Sequence, residues 1–149
     1  MSATAVIQTA IYDVLAADAV LPTLSLTKDP DTDELTTVTV HNDIPEGQAY
    51  PHVLISNAWE QDWHTFGGPV SGLGWRNIIR IYTYSRYQGD IEALNIHSRI
   101  VALLNFQPLA VTGYATSIVK YDGHKVFVKS VEKIETRELV GEFYVWVKQ

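Results

Sequence analysis

The sequence predicts an α+β fold, in which an antiparallel-rich or mixed sheet of about four to six strands carries two helices on one face. Two segments have apolar residues at the three- and four-residue spacing of amphipathic helices, near the N-terminus and after residue 90. The other apolar segments alternate as strands do, and the order is helix, two or three strands, helix, three strands. Helices and strands in this order fit a single domain over residues 1–149.

The first helix is predicted over Ala5–Val20, with Ser2 or Thr4 as a candidate N-cap. Its apolar positions are Ile7, Ile11, Val14 and Leu15. Pro22 disfavours helical backbone at Leu21 and so ends the helix. The polar segment of residues 25–36, SLTKDPDTDELT, is typical of an exposed loop or hairpin tip.

Two strands are predicted next, a short one over Thr37–Val40 and a second from Val53 to Trp59. Between them, NDIPEGQAYP combines Pro45 and Gly47, which suit a turn, with a second proline. Proline lacks an amide hydrogen, so this second proline fits the first residue of a strand. We interpret the segment as a rigid turn that launches the second strand.

Residues 60–75 are predicted to form a flexible loop, because glycine recurs there and aromatic residues lie between. A strand follows over Arg76–Ser85, and Asp90 is a candidate N-cap for a helix from Ile91 to about Asn105. The apolar stripe of this helix comprises Ala93, Ile96, Ile100, Leu103 and Leu104. The residues predicted to face solvent are Glu92, Asn95 and Arg99. His97 borders the stripe and is expected to be a satisfied boundary histidine.

The last third of the chain is predicted to be β-structure. Asp122-Gly123 is a strong hairpin signal, because both turn positions tolerate positive φ. It would join Tyr114–Tyr121 to Lys125–Val131, and Leu139–Lys148 would form the last strand.

Both faces of the predicted sheet carry large apolar residues, although two helices cover only one face. The residues of the second face are Ile78, Tyr82, Tyr84, Val140, Tyr144 and Trp146. A second apolar face indicates a partner, most simply another copy of the chain. The alternative is that the long loops fold over it.

Composition excludes several functional classes. With 11 basic and 17 acidic residues the net charge is −6, which argues against a nucleic-acid-gripping surface. The absence of cysteine excludes disulfides and thiolate chemistry. No apolar run reaches the roughly 18 residues of a membrane span, so we expect a soluble protein made in the cytoplasm.

Motifs for catalysis are weak. Glu60, Asp62 and His64 alternate and would share a strand face, where they could hold a divalent metal. Short acidic runs are more often solvated faces. The chain has neither a nucleophile elbow nor a phosphate-binding loop. We therefore predict no enzyme activity, no cofactor and no metal, with a small metal-dependent hydrolase as the alternative from a different class.

Three segments carry a resemblance to a known family: IYDVLAADAVL, VHNDIPEGQAYPHVLIS and RIYTYSRYQGDIEALNIHSRIVALL. Their order and spacing resemble the bacteriophage tail-completion (tail-terminator) family, also found in prophages and phage-derived particles. The shared elements are Ala17-Asp18-Ala19, the launch from Asp43 to Val53, and Tyr84-Ser85-Arg86. The match covers most of the chain and is weakest after Asn105. The 25–36 insertion departs from the family pattern because it is longer than usual.

The resemblance implies a structural virion protein without a cofactor or a reaction. Family members are expected to form a ring, commonly hexameric, that caps the head-proximal end of the tail tube. The ring stops tube growth and presents the surface that joins the head. The implied partners are copies of the chain, the tail-tube protein and a head–tail connector or stopper, while genomic DNA passes through without specific binding. Another neck component or a tail-tube subunit is the alternative within this class.

Two sets of residues are predicted to serve such a ring. The contact surface between subunits or with the tube would comprise Trp59, Trp63, Phe66, Trp75, Tyr82, Tyr84, Tyr144 and Trp146. Acids facing the DNA channel would come from Asp31, Asp33, Glu34, Glu60 and Asp62. An acidic lumen would let a duplex slide without sticking, because both surfaces are negative.

Overall fold

The computed structural model describes residues 3–43, 47–63 and 74–148. The helices are α1 (Ala3–Ala17), a short 3₁₀ helix (Leu21–Leu24) and α2 (Ile91–Leu104). The strands are β1 (Thr39–His41), β2 (His52–Trp63), β3 (Gly74–Ser85), β4 (Thr116–Val131) and β5 (Ile134–Lys148). Together they confirm the predicted α+β class.

The strands form one sheet in the order β1-β2-β3-β5-β4. β1 pairs with β2 in parallel, and the other three pairs are antiparallel. The sheet is therefore mixed but antiparallel-rich. β4 lies at one edge and the three-residue β1 at the other.

The helices lie on one face of this sheet, here called the inner face, and enclose the core with it. From the sheet, the buried residues include Val53, Ile55, Ile79, Ile81, Val119, Phe143, Val145 and Val147. From the helices they include Ile7, Ile11, Leu15, Ile96, Ile100 and Leu104. Buried and partly buried residues alternate along β3 and β5, as expected for strands with one face in the core.

Asp90 occupies the N-cap position of α2, as predicted, whereas the predicted cap of α1 differs from the structure. α1 begins at Ala3, so Thr4 lies in its first turn and is not the N-cap; Ser2 is outside the described residues. The Asp90 side chain makes no capping hydrogen bond to α2. Its carboxylate instead accepts a hydrogen bond from Arg137, 2.6 Å away, which ties the start of α2 to β5.

The predicted Asp122-Gly123 hairpin is wrong, because β4 continues through these residues. The register shifts between Tyr121 and Gly123, so the glycine, at φ 122°, lies in a β-bulge. The chain reverses ten residues later, at Glu132 and Lys133, with φ of 52° and 67°. Two consecutive positive φ values between paired strands are typical of a type I′ turn. The last strand consequently begins at Ile134 rather than Leu139.

The strands around the glycine-rich segment are longer than predicted. β2 runs to Trp63 and β3 begins at Gly74, so both ends of the predicted 60–75 loop are strand. Residues 64–73 lie outside the described residues. The pairing of the two strands explains the extension, because Glu60 to Trp63 match Asn77 to Gly74 one for one. β1 is shifted to Thr39–His41, where it pairs with the start of β2.

The predicted turn before β2 is described only in part, since residues 44–46 lie outside the described residues. Gly47 has φ 78°, the positive value that the turn prediction required. The peptide bond between Tyr50 and Pro51 is cis, and β2 starts at the next residue. In the 25–36 segment, an antiparallel bridge between Lys28 and Leu35 closes a hairpin tip.

Asp18, which belongs to one of the family-like motifs, ties three elements together. Its carboxylate accepts hydrogen bonds from Arg99 on α2 at 2.7 and 3.0 Å and from the Leu21 amide at 2.8 Å. The hydrogen bond from the Leu21 backbone amide satisfies a donor that has no partner within the first turn of the 3₁₀ helix. The Arg99 hydrogen bonds, with the Leu21 amide, hold the pKa of Asp18 below its ordinary value.

We expect Asp18→Asn to lower the midpoint of thermal unfolding at neutral pH, because the charge-assisted hydrogen bonds to Arg99 are weakened. A lowered pKa means that this stabilisation is present above the ordinary value of 3.8 and is lost as the pH falls below it. The difference between wild type and variant should therefore disappear in acid. Calorimetry from pH 7 to pH 3 measures this difference in unfolding midpoint. The control is Asp13→Asn, a substitution at an exposed aspartate of α1. A difference that persists unchanged at pH 3 would contradict the charge-based account.

Candidate interaction surface

The sheet face opposite the helices, here called the outer face, carries an array of aromatic side chains. Tyr82 and Tyr84 stack along β3 with ring centroids 6.2 Å apart, and Tyr144 and Trp146 lie 5.7 Å apart on β5. The Arg76 guanidinium lies 5.6 Å from the centroid of the Tyr144 ring, in the geometry of a cation–π contact. These aromatic rings are only partly buried, so they present apolar area to any partner.

A β-bulge brings Trp59 into the same array. Val53 and Ile55 occupy the inner face, so strict alternation would place residue 59 there too. The register shift between Asn57 and Trp59 instead pairs Trp59 with Ile78 of the outer face. Its side chain is 53% exposed, high for a tryptophan on a strand.

Charged side chains divide the apolar array into patches. Arg80 and Glu142 face each other across β3 and β5 with a nitrogen–oxygen distance of 3.8 Å. They border a groove of about 510 Å³ that runs from Tyr82 to the bulge of β4 and to Phe127. Phe127 and Ile118 are about half exposed on the edge strand. The surface therefore combines apolar anchors with fixed charges, as protein interfaces commonly do.

None of the described helices packs on the outer face; α1 and α2 both contact the inner one. Burial against neighbouring rings raises the pKa of Tyr84 to about 12, so its phenol is neutral at physiological pH. The outer face, with these aromatic side chains, corresponds to the second apolar face that the sequence predicted. The alternative, that a long loop covers this face, concerns residues 64–73, which lie outside the described residues.

The structure brings together five of the eight predicted contact residues: Trp59, Tyr82, Tyr84, Tyr144 and Trp146. Trp75 lies on the inner face, where its ring packs on the core and meets Tyr114 edge-on at 5.6 Å. Trp63 ends β2, but its side chain is not among those described, and Phe66 lies outside the described residues. The contact surface proposed below therefore consists of the outer-face residues alone.

The predicted channel acids separate into two groups. Asp31, Asp33 and Glu34 are exposed on the 25–36 tip. Glu60 points to the inner face, where its carboxylate accepts hydrogen bonds from the amide and hydroxyl of Thr4. A carboxylate at this place stabilises the N-terminus of α1 through the helix dipole.

The proposed metal triad is only partly within the described chain. The side chain of Asp62 and all of His64 lie outside it. Among the described residues, no group of three or more His, Cys, Asp or Glu side chains could hold a metal ion. No described helix has both the length and the apolar character that crossing a membrane requires.

Glu92 was predicted to face solvent from α2, but it lies in the interior of the protein. Glu92 is fully buried and accepts hydrogen bonds from the Leu26 amide at 2.6 Å and the Ser85 hydroxyl at 2.7 Å. The Thr27 hydroxyl donates to the same carboxylate at 3.0 and 3.1 Å. Glu92 thus fastens the base of the 25–36 tip to α2 and to the end of β3. An acid in the first helical turn was the only available signal, and such acids are usually exposed.

His97 is also more deeply buried than predicted, with 3% of its surface exposed. Its Nε2 lies 2.9 Å from the Tyr121 hydroxyl, which lies 2.6 Å from Nδ1 of His124. Burial, with a smaller contribution from the nearby His124, lowers the pKa of His97 to about 4. The imidazole is therefore neutral at physiological pH.

No known protein family and no curated protein matches the chain. Among solved structures, the fold is shared by a chain of the "Virion of native gene transfer agent (GTA) particle". The two are 20% identical, with a TM-score of 0.69 over 99% of this chain and 98% of the other. The protein thus has the fold of that virion chain, from end to end.

Proposed function

We propose that the chain is a tail-completion protein of a phage or phage-derived particle. It assembles with further copies into a ring, commonly hexameric in the family that it resembles, on the head-proximal end of the tail tube. The ring stops tube growth and offers the surface to which the head connector or stopper binds. The protein is made in the host cytoplasm and resides at the head–tail junction of the virion.

The observation that carries this proposal is the fold shared with a gene transfer agent virion chain along nearly the full length of both chains. The three family-like motifs support it independently, and hydrogen bonds in the structure give two of them a mechanical role. Asp18 joins α1 to α2, and Ser85 fastens β3 to α2 through Glu92. Asp18 and Ser85 thus maintain the fold, whereas Tyr84, next to Ser85 in its motif, lies on the outer face.

In this proposal, the outer face and the sheet edges form the contacts between neighbouring subunits. Partly exposed tyrosines and tryptophans are the residues most enriched among interface anchors, because each buries a large area with little loss of conformational freedom. The 25–36 tip carries Asp31, Asp33 and Glu34 towards the DNA channel. A ring whose channel is lined by basic residues would contradict this placement.

Negative-stain imaging of the purified protein, alone and with tail tubes, tests the proposal. We expect closed rings and a single ring at one end of each tube. Stacking into long tubes would identify a tail-tube subunit instead. Particles that remain monomeric both alone and with tubes would contradict the proposal.

We expect Trp59→Ala and Tyr84→Ala to weaken ring assembly while the monomer stays folded. Truncation of an interface anchor costs about 2 kcal/mol or more of association energy. The matched control is Leu94→Ala, an exposed apolar residue on α2 in the opposite layer. Sedimentation measures assembly and circular dichroism measures folding. If Leu94→Ala disrupts rings and the other two variants do not, the helix layer is the interface and our assignment is wrong.

A further inference from the structure

A cluster of two imidazoles and one phenol lies between α2 and β4, away from the outer face. It consists of His97, Tyr121 and His124, here called the imidazole–phenol cluster. The Tyr121 oxygen lies 2.9 Å from Nε2 of His97 and 2.6 Å from Nδ1 of His124. Three atoms of metal-ligating type thus converge at one place.

Two backbone features build this cluster. Tyr121 and His124 are three residues apart, so strict alternation would put them on opposite faces of β4. The bulge between them removes that constraint and turns both side chains to the helix side. On the facing strand, Gly141 leaves the space that the His97 ring fills, since a Cβ there would lie 2.4 Å from the ring's Cε1.

The spacing of the cluster fits one tetrahedral ion. The ring centroids of His97 and His124 are 4.9 Å apart. Two imidazoles that share an ion through bonds of about 2.0–2.1 Å have centroids roughly 5 Å apart. Ligand atoms of such an ion lie roughly 3.3 Å from each other, so the contacts of 2.9 and 2.6 Å to the phenol oxygen need to lengthen by about 0.4 and about 0.7 Å.

We propose that the imidazole–phenol cluster binds one late first-row divalent ion, Zn²⁺ or Cu²⁺, through Nε2 of His97, Nδ1 of His124 and the Tyr121 oxygen. Imidazole nitrogen suits both ions, and Cu²⁺ binds such donors more tightly. His124 is exposed, so the fourth position opens to water and gives the ion a path of entry. If the phenol binds as phenolate, its proton passes to solvent. The ion would lock the β4 bulge to α2.

This site is separate from the Glu60, Asp62 and His64 pattern in the sequence, which shares none of its residues. It is also independent of the proposed tail-completion role, because its ligand atoms belong to none of the outer-face aromatic residues, although His124 also borders the groove of about 510 Å³.

Titration calorimetry of the purified protein with ZnCl₂, and separately with CuSO₄, tests the proposal. We expect one ion per chain. The affinity should fall by more than about tenfold in His124→Ala and in Tyr121→Phe, since even the loss of an outer-shell partner has that effect in known sites. His41→Ala, which removes a histidine from β1, is the matched control and should bind as the wild type does.

Thermal unfolding gives a second readout, because an ion that binds the folded state raises the unfolding midpoint. Zn²⁺ should raise it for the wild type and for His41→Ala, but not for the two cluster variants. Absence of binding by the wild type, or binding that survives either cluster variant unchanged, overturns the assignment.

Discussion

Replacing Glu92 with alanine is expected to lower the free energy of unfolding by about 3 kcal/mol or more, because a carboxylate with three donor groups is lost from a buried site. The Leu26 amide and the hydroxyls of Ser85 and Thr27 would be left without this acceptor. A buried donor without a partner costs about 1–3 kcal/mol. Denaturant unfolding of wild type and variant measures the difference.

Glu92→Gln separates charge from shape at this position. The amide keeps the size and one acceptor oxygen, but its NH₂ group faces donors, so we expect an intermediate loss. Glu135→Ala, at an exposed acid on β5, is the control and should change stability by less than about 0.5 kcal/mol. A Glu92→Ala protein as stable as this control would show that the hydrogen bonds at the base of the 25–36 tip contribute nothing.

Gly141→Ala is expected to destabilise the protein by about 1–3 kcal/mol, the usual range for overpacking a well-filled core. The added methyl would lie 2.4 Å from Cε1 of His97 and 3.3 Å from the Phe143 ring. The histidine cannot move away freely, because its ring is buried and lies close to both Tyr121 and Phe143. Thermal and denaturant unfolding measure the loss.

A double-mutant cycle checks the cause of that loss. His97→Ala removes the ring that the new methyl would meet, so Gly141→Ala should cost much less in the His97→Ala background. Equal costs in the two backgrounds would contradict the steric account. In that case a change in the backbone of β5 would be the remaining cause.

The sequence was sufficient for the fold class, because the periodicity of apolar residues reports which face of each element is buried. Ile79 and Ile81, or Phe143 and Val145, occupy the core as alternation predicts. Two of the strand errors fall where one extra residue breaks alternation. Asp122-Gly123 has the composition of a hairpin turn, yet the long pairing of β4 with β5 makes it a bulge and puts the reversal at Glu132-Lys133.

The candidate surface was predictable in part for the same reason. Tyr82, Tyr84 and Tyr144 share a face because they obey alternation, whereas Trp75 faces the core and only a bulge turns Trp59 outward. Glu92 was not predictable, because two of its three donors, at Leu26 and Thr27, lie 65 or more residues away in the chain. Pairings over such distances leave no periodic trace in a single sequence.

The two bulges are positions at which the chain can lose one residue without changing either face of the sheet. Each bulge holds one extra residue in a strand, so the side chains beyond it are displaced by one position relative to those before it. Loss of that residue would restore regular pairing with the same partner residues, for example Asn57 with Ile79 and Trp59 with Ile78. Related chains can therefore differ in length by one residue at either bulge and keep both the outer face and the core packing of Val53 and Ile55.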